Sequence, residues 1–171
     1  MLKSAMTKNI VLVGFMGAGK SVVSKQLATR LKRERVSTDE LIEQREGRAI
    51  SDIFQKDGEA YFRSLEKQVV AELTSRDGLV IDCGGGIVLA AVNIDNLRKN
   101  GVVFYLKADP QTIYERIKDE KHRPLLADGD PKKKISDILA QRKPFYEKAD
   151  VTVATEGKTA EQVVDEIISK I

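Results

Sequence analysis

Short apolar runs alternate along the chain with stretches whose apolar residues recur every three or four positions. The first pattern is typical of strands that are buried on both faces, and the second of helices that cover a sheet. We expect strands at residues 9–13, near 36, and at 79–82, 102–106 and 151–154. This alternation predicts βα units, and therefore an α/β fold with a mainly parallel central sheet.

Helices are predicted in the segments between these strands, and glycine, proline and capping residues mark their ends. They cover residues 20–32, 41–46, 51–56, 59–75, 93–99, a segment that begins at Pro110, 135–148 and 160–171. Gly47 and Gly58 separate three of these helices, and we expect Pro144 to break or kink another. Thr159 and Gln162 have capping-box spacing in front of the last helix.

A single domain is expected from the length and the pattern together. The 171 residues match the size of one compact domain, and the sequence contains no repeat and no second core. Residues 1–171 are therefore predicted to form one unit. One segment differs in composition. Residues at about 119–134 are rich in Pro, Asp, Gly and Lys and show little apolar periodicity, which predicts a mobile lid between two helices.

Composition narrows the possible partners. The 29 basic and 26 acidic residues give a net charge of +3, which is too balanced to indicate nucleic-acid binding. The single cysteine, Cys83, cannot form an intramolecular disulfide and fits a reducing compartment. No apolar run is long enough to cross a bilayer, and residues 1–8 lack the apolar region of a signal peptide. We expect a cytoplasmic monomer that binds neither nucleic acid nor a membrane.

The strongest motif starts where the first predicted strand ends. Residues 14–21, Gly-Phe-Met-Gly-Ala-Gly-Lys-Ser, match the G-x-x-x-x-G-K-[ST] pattern of a P-loop. Its glycines let the backbone N–H groups meet phosphate oxygens at the N-terminus of the next helix. Lys20 supplies a cation for the β- and γ-phosphates, and the Ser21 hydroxyl is a ligand for Mg²⁺. The predicted ATP site comprises Gly17, Ala18, Gly19, Lys20, Ser21 and Val22.

Several classes of protein share the P-loop. GTPases carry an N-K-x-D motif that this sequence lacks, and the chain is too short for an AAA-type machine. Small-molecule kinases remain, and in these a lid supplies arginine to the phosphate being transferred. Arg123, within His-Arg-Pro-Leu-Leu at residues 122–126, fits that role as a catalytic and nucleotide-binding residue.

Further polar or glycine-rich positions follow the P-loop, namely Asp39, the pair Arg63 and Glu66, the triplet Gly84, Gly85 and Gly86, and Arg142. Each alone has a simpler explanation, because an aspartate after a strand often caps a helix and an i,i+3 ion pair often lies on the surface. Together with the P-loop, however, their order and spacing over residues 9–150 resemble the shikimate kinase family.

The resemblance implies a P-loop fold like that of adenylate kinase, with a five-stranded parallel sheet in the order 2-3-1-4-5 and helices on both sides. It also implies a kinase that transfers the γ-phosphoryl group of ATP to the 3-hydroxyl of shikimate, with one Mg²⁺ per active site. This reaction belongs to the pathway that supplies chorismate for aromatic amino acids.

The same resemblance implies roles for individual residues. Asp39 is expected to bind the acceptor and to orient and deprotonate its attacking hydroxyl. Arg63 and Arg142 are expected to bind the carboxylate of shikimate, while the backbone of residues 84–86 approaches its ring. Arg116 resembles the family residue that stacks on adenine, and we expect the loop near residues 155–158 to contact the other face of the base.

The chain departs from the family pattern at the metal site. Relatives usually carry two aspartates separated by one residue after the second strand, and the first helps to hold Mg²⁺. That first position is Ser37 here, and a hydroxyl cannot replace the charge of a carboxylate. Asp82, however, ends the third predicted strand in a Walker B pattern. We interpret Asp82 as the relocated metal carboxylate, alongside Ser21; the simpler alternative is that Asp82 caps a neighbouring loop.

Two other functions fit part of this pattern. A gluconate or nucleoside-monophosphate kinase would share the P-loop, although two arginines, an aspartate and a glycine triplet suit a small hydroxy acid better. A nucleotide-binding protein without catalysis is the second alternative. Ser37 favours that alternative, whereas Lys20, Asp39 and Arg123 oppose it.

Overall fold

A computed structural model of the chain describes residues 7–120 and 129–171. Its centre is a parallel five-stranded sheet in the order β2-β3-β1-β4-β5, as the resemblance predicted. The strands are β1 (Asn9–Val13), β2 (Arg35–Ser37), β3 (Val80–Asp82), β4 (Gly101–Lys107) and β5 (Val151–Ala154). Within the part of the chain that the structure describes, no helix is both long and apolar enough to span a bilayer.

Eight helices are found among the described residues. They are α1 (Lys20–Leu31), α2 (Thr38–Glu46), α3 (Ile50–Asp57), α4 (Glu59–Leu73), α5 (Ala91–Lys99), α6 (Pro110–Ile117), α7 (Pro131–Tyr146) and α8 (Ala160–Ile168). The predicted capping box forms at the start of α8, where Thr159 and Gln162 bond reciprocally.

Two apolar layers cover the two faces of the sheet. Successive residues of a strand point to opposite faces, so β1 contributes Ile10 and Leu12 to one layer and Val11 and Val13 to the other. Helices α1 and α8 close the first layer, and α2 to α7 pack on the second. Burial on both faces explains why the sequences of β1, β3, β4 and β5 consist mainly of apolar residues.

Helix α7 differs from its prediction at both ends. It begins at Pro131 rather than at residue 135, because the Asp130 side chain accepts a hydrogen bond from the Lys132 N–H and proline suits the first turn. Residues 131–134, which were predicted as part of the lid, belong to this helix instead. Pro144 does not break the helix, which continues to the fully buried Tyr146.

Helix α2 also begins earlier than predicted, at Thr38 rather than at residue 41, because the Ser37 hydroxyl accepts a hydrogen bond from the Glu40 N–H. Asp39 therefore lies in the first turn of a helix. All five strands run parallel, so their carboxyl ends meet at one edge of the sheet. The P-loop, Asp39 and the glycine triplet each follow one of these ends.

Candidate active site

The P-loop joins β1 to α1 through backbone that only glycine tolerates. Gly17 has φ +77°, and a Cβ there would lie 2.7 Å from the Ile117 side chain. Gly19, the residue before α1, has φ +96° and no side chain with which to cap the helix. The first N–H groups of α1 are therefore left for an anion.

The other residues predicted to bind the nucleotide line the same turn. Lys20 is buried, and its ammonium group donates to the carbonyls of Gly14 at 2.7 Å and Phe15 at 3.0 Å. Ala18 packs into the core, whereas Val22 is 53% exposed on the first turn of α1. The turn thus offers backbone N–H groups and one cation, the requirements for a triphosphate.

Arg116 lies next to this turn, on α6. Its guanidinium donates to the Gly17 carbonyl at 3.1 Å and to the Thr155 hydroxyl at 3.2 Å. It therefore joins the P-loop to the loop after β5, and that loop is the segment predicted to contact the adenine face opposite Arg116.

Asp82 ends β3 beside the P-loop strand. It is buried, and in the β2–β3 register it lies opposite Ser37. Its Oδ2 accepts a hydrogen bond from the Ser21 hydroxyl at 3.1 Å and contacts the Arg35 guanidinium at 2.7 Å. A carboxylate thus lies on the neighbouring strand, directly opposite position 37.

These groups fit a magnesium ion. Ser21 and Asp82 place a hydroxyl and a carboxylate oxygen side by side at the N-terminus of α1. Mg²⁺ in phosphoryl-transfer sites takes one or two carboxylates and completes its shell with phosphate oxygens and water. Among the described residues, no group of three or more His, Cys, Asp or Glu side chains is placed to hold a metal ion.

Asp39 supplies a second carboxylate at this edge of the sheet. It is half-buried, and its Oδ1 is buried with no hydrogen-bond partner in the described part of the chain. Burial raises the pKa of Asp39 from 3.8 to about 6, although the charge of Lys20 acts in the opposite direction. An unpaired buried carboxylate oxygen is a costly feature that a ligand hydroxyl can satisfy.

Arg63 and Glu66 form an ion pair on α4. The guanidinium of Arg63 contacts Glu66 at 2.6 Å and the exposed Glu59 at 3.1 Å. Glu66 is 1% exposed, and burial raises its pKa to about 7 despite the charge of Arg63. The pair is therefore part of the interior, and Glu66 fixes the position of Arg63.

Each glycine of the triplet after β3 adjoins a different group of the site. A Cβ on Gly84 would collide with the Asp39 carboxylate, and one on Gly86 would collide with the Arg63 guanidinium. A Cβ on Gly85 would lie 3.5 Å from the Arg142 guanidinium and 3.6 Å from the P-loop backbone. The triplet therefore brings the two arginines and Asp39 together next to the P-loop.

Arg142 on α7 completes this group. It is buried, and its guanidinium lies 5.8 Å from the centre of the Phe15 ring. One turn later Tyr146 stacks on Tyr105 at 5.0 Å and donates its hydroxyl to the Gly85 carbonyl at 2.6 Å. Helix α7 is thus anchored to the glycine triplet by this tyrosine.

Three contacts at the site were not predicted. They are the ion pair of Arg35 with Asp82, the Tyr146 hydrogen bond, and the Gly84 N–H that donates to the Thr38 hydroxyl at 2.9 Å. Arg123, the predicted lid arginine, lies outside the described residues, as does half of the predicted lid, residues 121–128.

Comparison with known proteins adds independent information. A family model described as "Shikimate kinase" matches residues 16–171. A shikimate kinase of Caldanaerobacter subterraneus subsp. tengcongensis is 48% identical over 161 residues, which is 94% of each chain. One from Thermodesulfovibrio yellowstonii is 45% identical over 163 residues, 95% of this chain and 94% of that protein.

A solved structure agrees with these sequence matches. Shikimate kinase from Acinetobacter baumannii in complex with shikimate superposes with a TM-score of 0.91 at 39% identity, covering 96% of this chain and 92% of that one. The family model, the relatives and the structure each span nearly the whole chain. The chain belongs to the shikimate kinase family.

Proposed function

We propose that the chain transfers the γ-phosphoryl group of ATP to the 3-hydroxyl of shikimate, giving shikimate 3-phosphate and ADP on the route to chorismate and aromatic amino acids. The observation that carries this proposal is the glycine triplet at residues 84–86, which adjoins Asp39, both arginines and the P-loop. An acid held by the arginines would therefore present its hydroxyl to Asp39 beside the phosphates.

Two arginines on separate helices would bind the acceptor's carboxylate. Arg142 is buried, and Arg63 is held by the buried Glu66 while its other side faces the exposed Glu59. A carboxylate can replace Glu59 on Arg63 without disturbing the Glu66 contact. Guanidinium groups suit this task because their planar donors match a carboxylate in pairs.

Asp39 would act on the attacking hydroxyl. Its Oδ1 accepts the hydroxyl proton as the acceptor oxygen bonds to the γ-phosphorus and the bond to the β-phosphate oxygen breaks. The leaving group is ADP. Because burial raises the pKa of this carboxyl to about 6, Asp39 is a better proton acceptor than an exposed aspartate and is still ionised at pH 7.

The P-loop would hold the phosphates while this happens. Lys20 and the first N–H groups of α1 neutralise the β- and γ-phosphates, and Arg123 is proposed to reach the group being transferred. Ser21 and Asp82 would hold Mg²⁺, which supplies positive charge to the phosphate oxygens when it is bound. Arg116 would lie against the adenine.

An acceptor panel tests the proposed substrate. ADP release is followed in a coupled assay with ATP and Mg²⁺, using shikimate, gluconate and the nucleoside monophosphates as acceptors. We expect turnover with shikimate alone. Faster turnover with either of the other acceptor classes would reject shikimate as the substrate while leaving the kinase activity intact.

The metal role of Asp82 makes a separate prediction. Asp82→Asn keeps the shape of the side chain but removes its charge, so we expect the Mg²⁺ concentration at half-maximal rate to rise about tenfold. Ser37→Ala, which loses only the cap of α2, is the matched control and is expected to leave that concentration unchanged. An unaltered Mg²⁺ requirement in Asp82→Asn would reject the relocation.

The double variant Ser37→Asp with Asp82→Ala provides the converse test. It moves the carboxylate from β3 to the neighbouring strand β2, because positions 37 and 82 lie opposite each other in the sheet. Aspartate also caps a helix as well as serine does, so α2 should be retained. We expect the double variant to recover most of the Mg²⁺ response that Asp82→Ala alone loses.

A further inference from the structure

Arg35 is a largely enclosed cation that is not among the groups already assigned to ATP and acceptor. It lies on β2 two residues before Ser37 and therefore on the same face of the strand. Its Nη2 contacts Asp82 Oδ2 at 2.7 Å, and its Nε donates to the Ser24 hydroxyl at 2.7 Å. A strand residue thus reaches the carboxylate proposed for the metal.

The burial of these groups separates them from ordinary surface ion pairs. The side chains of Arg35 and Asp82 are 13% and 6% exposed. An arginine side chain stays protonated at physiological pH, so the guanidinium carries its full positive charge beside Asp82. A buried carboxylate without a partner is costly, and Arg35 removes that cost in the metal-free protein.

The same contact places a positive charge next to the proposed magnesium ligand. Three donors converge on Oδ2 of Asp82, since Ser21 and Ser24 contact it at 3.1 and 3.4 Å in addition to Arg35. Glu40, whose side chain is 64% exposed, contacts the far side of the guanidinium at 3.1 Å. Arg35 is thereby shared between a buried and an exposed carboxylate.

We propose that Arg35 is the counter-ion of Asp82 in the metal-free protein and that it weakens Mg²⁺ binding by sharing the charge of this carboxylate. Two cations, the Arg35 guanidinium and Mg²⁺, compete for one buried carboxylate, so strengthening one contact weakens the other. Arg35 is a positioning residue in this scheme, because it acts through Asp82 and touches neither substrate. The inference rests on the proposed metal role of Asp82.

The test measures ADP affinity by calorimetry over a series of Mg²⁺ concentrations. Arg35→Met keeps much of the side-chain volume but removes the charge. We expect the half-saturating Mg²⁺ concentration to fall about tenfold, because Asp82 is then neutralised only by the ion. Without metal and nucleotide, the Tm of this variant should fall below that of wild type, since Asp82 has lost its counter-ion.

Glu40→Gln is expected to change the Mg²⁺ requirement in the opposite direction. Because the Glu40 side chain is exposed, this substitution should not disturb folding. Losing Glu40 leaves the full charge of Arg35 facing Asp82, so this variant should require more Mg²⁺ than wild type. Arg30→Met is the matched control. It removes an arginine that pairs with Asp165 on the surface of α1 and α8, with side-chain exposures of 46% and 56%.

A double-mutant cycle separates this inference from the metal role itself. If Arg35 acts through Asp82, Arg35→Met should not change the Mg²⁺ response in the Asp82→Asn background. An unchanged or higher Mg²⁺ requirement in Arg35→Met, or an equal decrease in both backgrounds, would overturn the inference about Arg35. If Asp82→Asn alone has no effect on Mg²⁺, the proposed metal role fails instead.

Discussion

Arg142→Ala is expected to weaken shikimate binding by about 2–5 kcal/mol, because it removes one partner of a charged contact that is shielded from water. This corresponds to a factor of about 30 to several thousand in Kd. ATP affinity should stay nearly unchanged, since Arg142 on α7 lies beside Gly85 and the Phe15 ring, whereas the phosphates are expected at the N-terminus of α1. Calorimetric titrations with shikimate and with ATP measure the two affinities separately.

Arg63→Ala should give a similar loss, but it also leaves Glu66 buried without its cation. The variant Arg63→Ala with Glu66→Gln avoids this second defect and isolates the effect on the acceptor. Arg45→Ala is the control, because Arg45 pairs with Glu72 on the surface. Shikimate affinity equal to wild type in Arg142→Ala, or in the double variant, would remove that arginine from the site.

Most of the fold follows from local pattern. Strands β1, β3, β4 and β5 are mainly apolar because both faces of the sheet are covered, and each is bounded by residues that end strands or begin helices. The strand order does not follow from such patterns, since it depends on which strands pair. The strand order was predicted from the resemblance to the shikimate kinase family, which rests on the spacing of the motifs. The structure confirms this order.

The start of helix α7 was not predicted correctly from the sequence pattern, and Pro144 does not break the helix. The three lysines at 132–134 looked like part of a loop because no apolar residue interrupts them. They form the exposed first turn of the helix, and the Asp130 cap with Pro131 was the signal that could have located it. Pro144 was expected to break or kink the helix, yet the buried side chains of Arg142 and Tyr146 hold the chain on either side of it.

The parts of the candidate site that belong to a sequence motif could be predicted. The contacts that depend on how strands pair and helices pack could not. The P-loop, Asp39 and the two arginines were identified from spacing, and their roles stay predictions. The Arg35 contact with Asp82 depends on the β2–β3 register, which cannot be derived from a single sequence. The hydrogen bond from Tyr146 to Gly85 depends on how α7 packs, which lies equally beyond a local pattern.

Asp39→Asn is expected to lower kcat about a hundredfold, because asparagine keeps the shape of the side chain but cannot take the proton of the acceptor hydroxyl. ATP affinity should be roughly preserved. The wild-type rate should rise with pH through the pKa of about 6, since only the ionised carboxylate acts as a base. In the variant, this rise should disappear from the residual rate, which a pH profile of kcat measures.

Stability gives an independent readout of the same side chain. The pKa of Asp39 in the folded protein, about 6, exceeds its ordinary value of 3.8, so the folded state holds this proton more tightly than the unfolded state. Asp39 therefore lowers the free energy of unfolding as pH rises from about 4 to about 6, by on the order of 3 kcal/mol in all. Asparagine does not titrate, so denaturant unfolding of Asp39→Asn should show a smaller loss of stability over this range. If turnover stays near the wild-type value while this pH dependence shrinks, Asp39 is a buried carboxylate without a catalytic role, and another group must accept the proton.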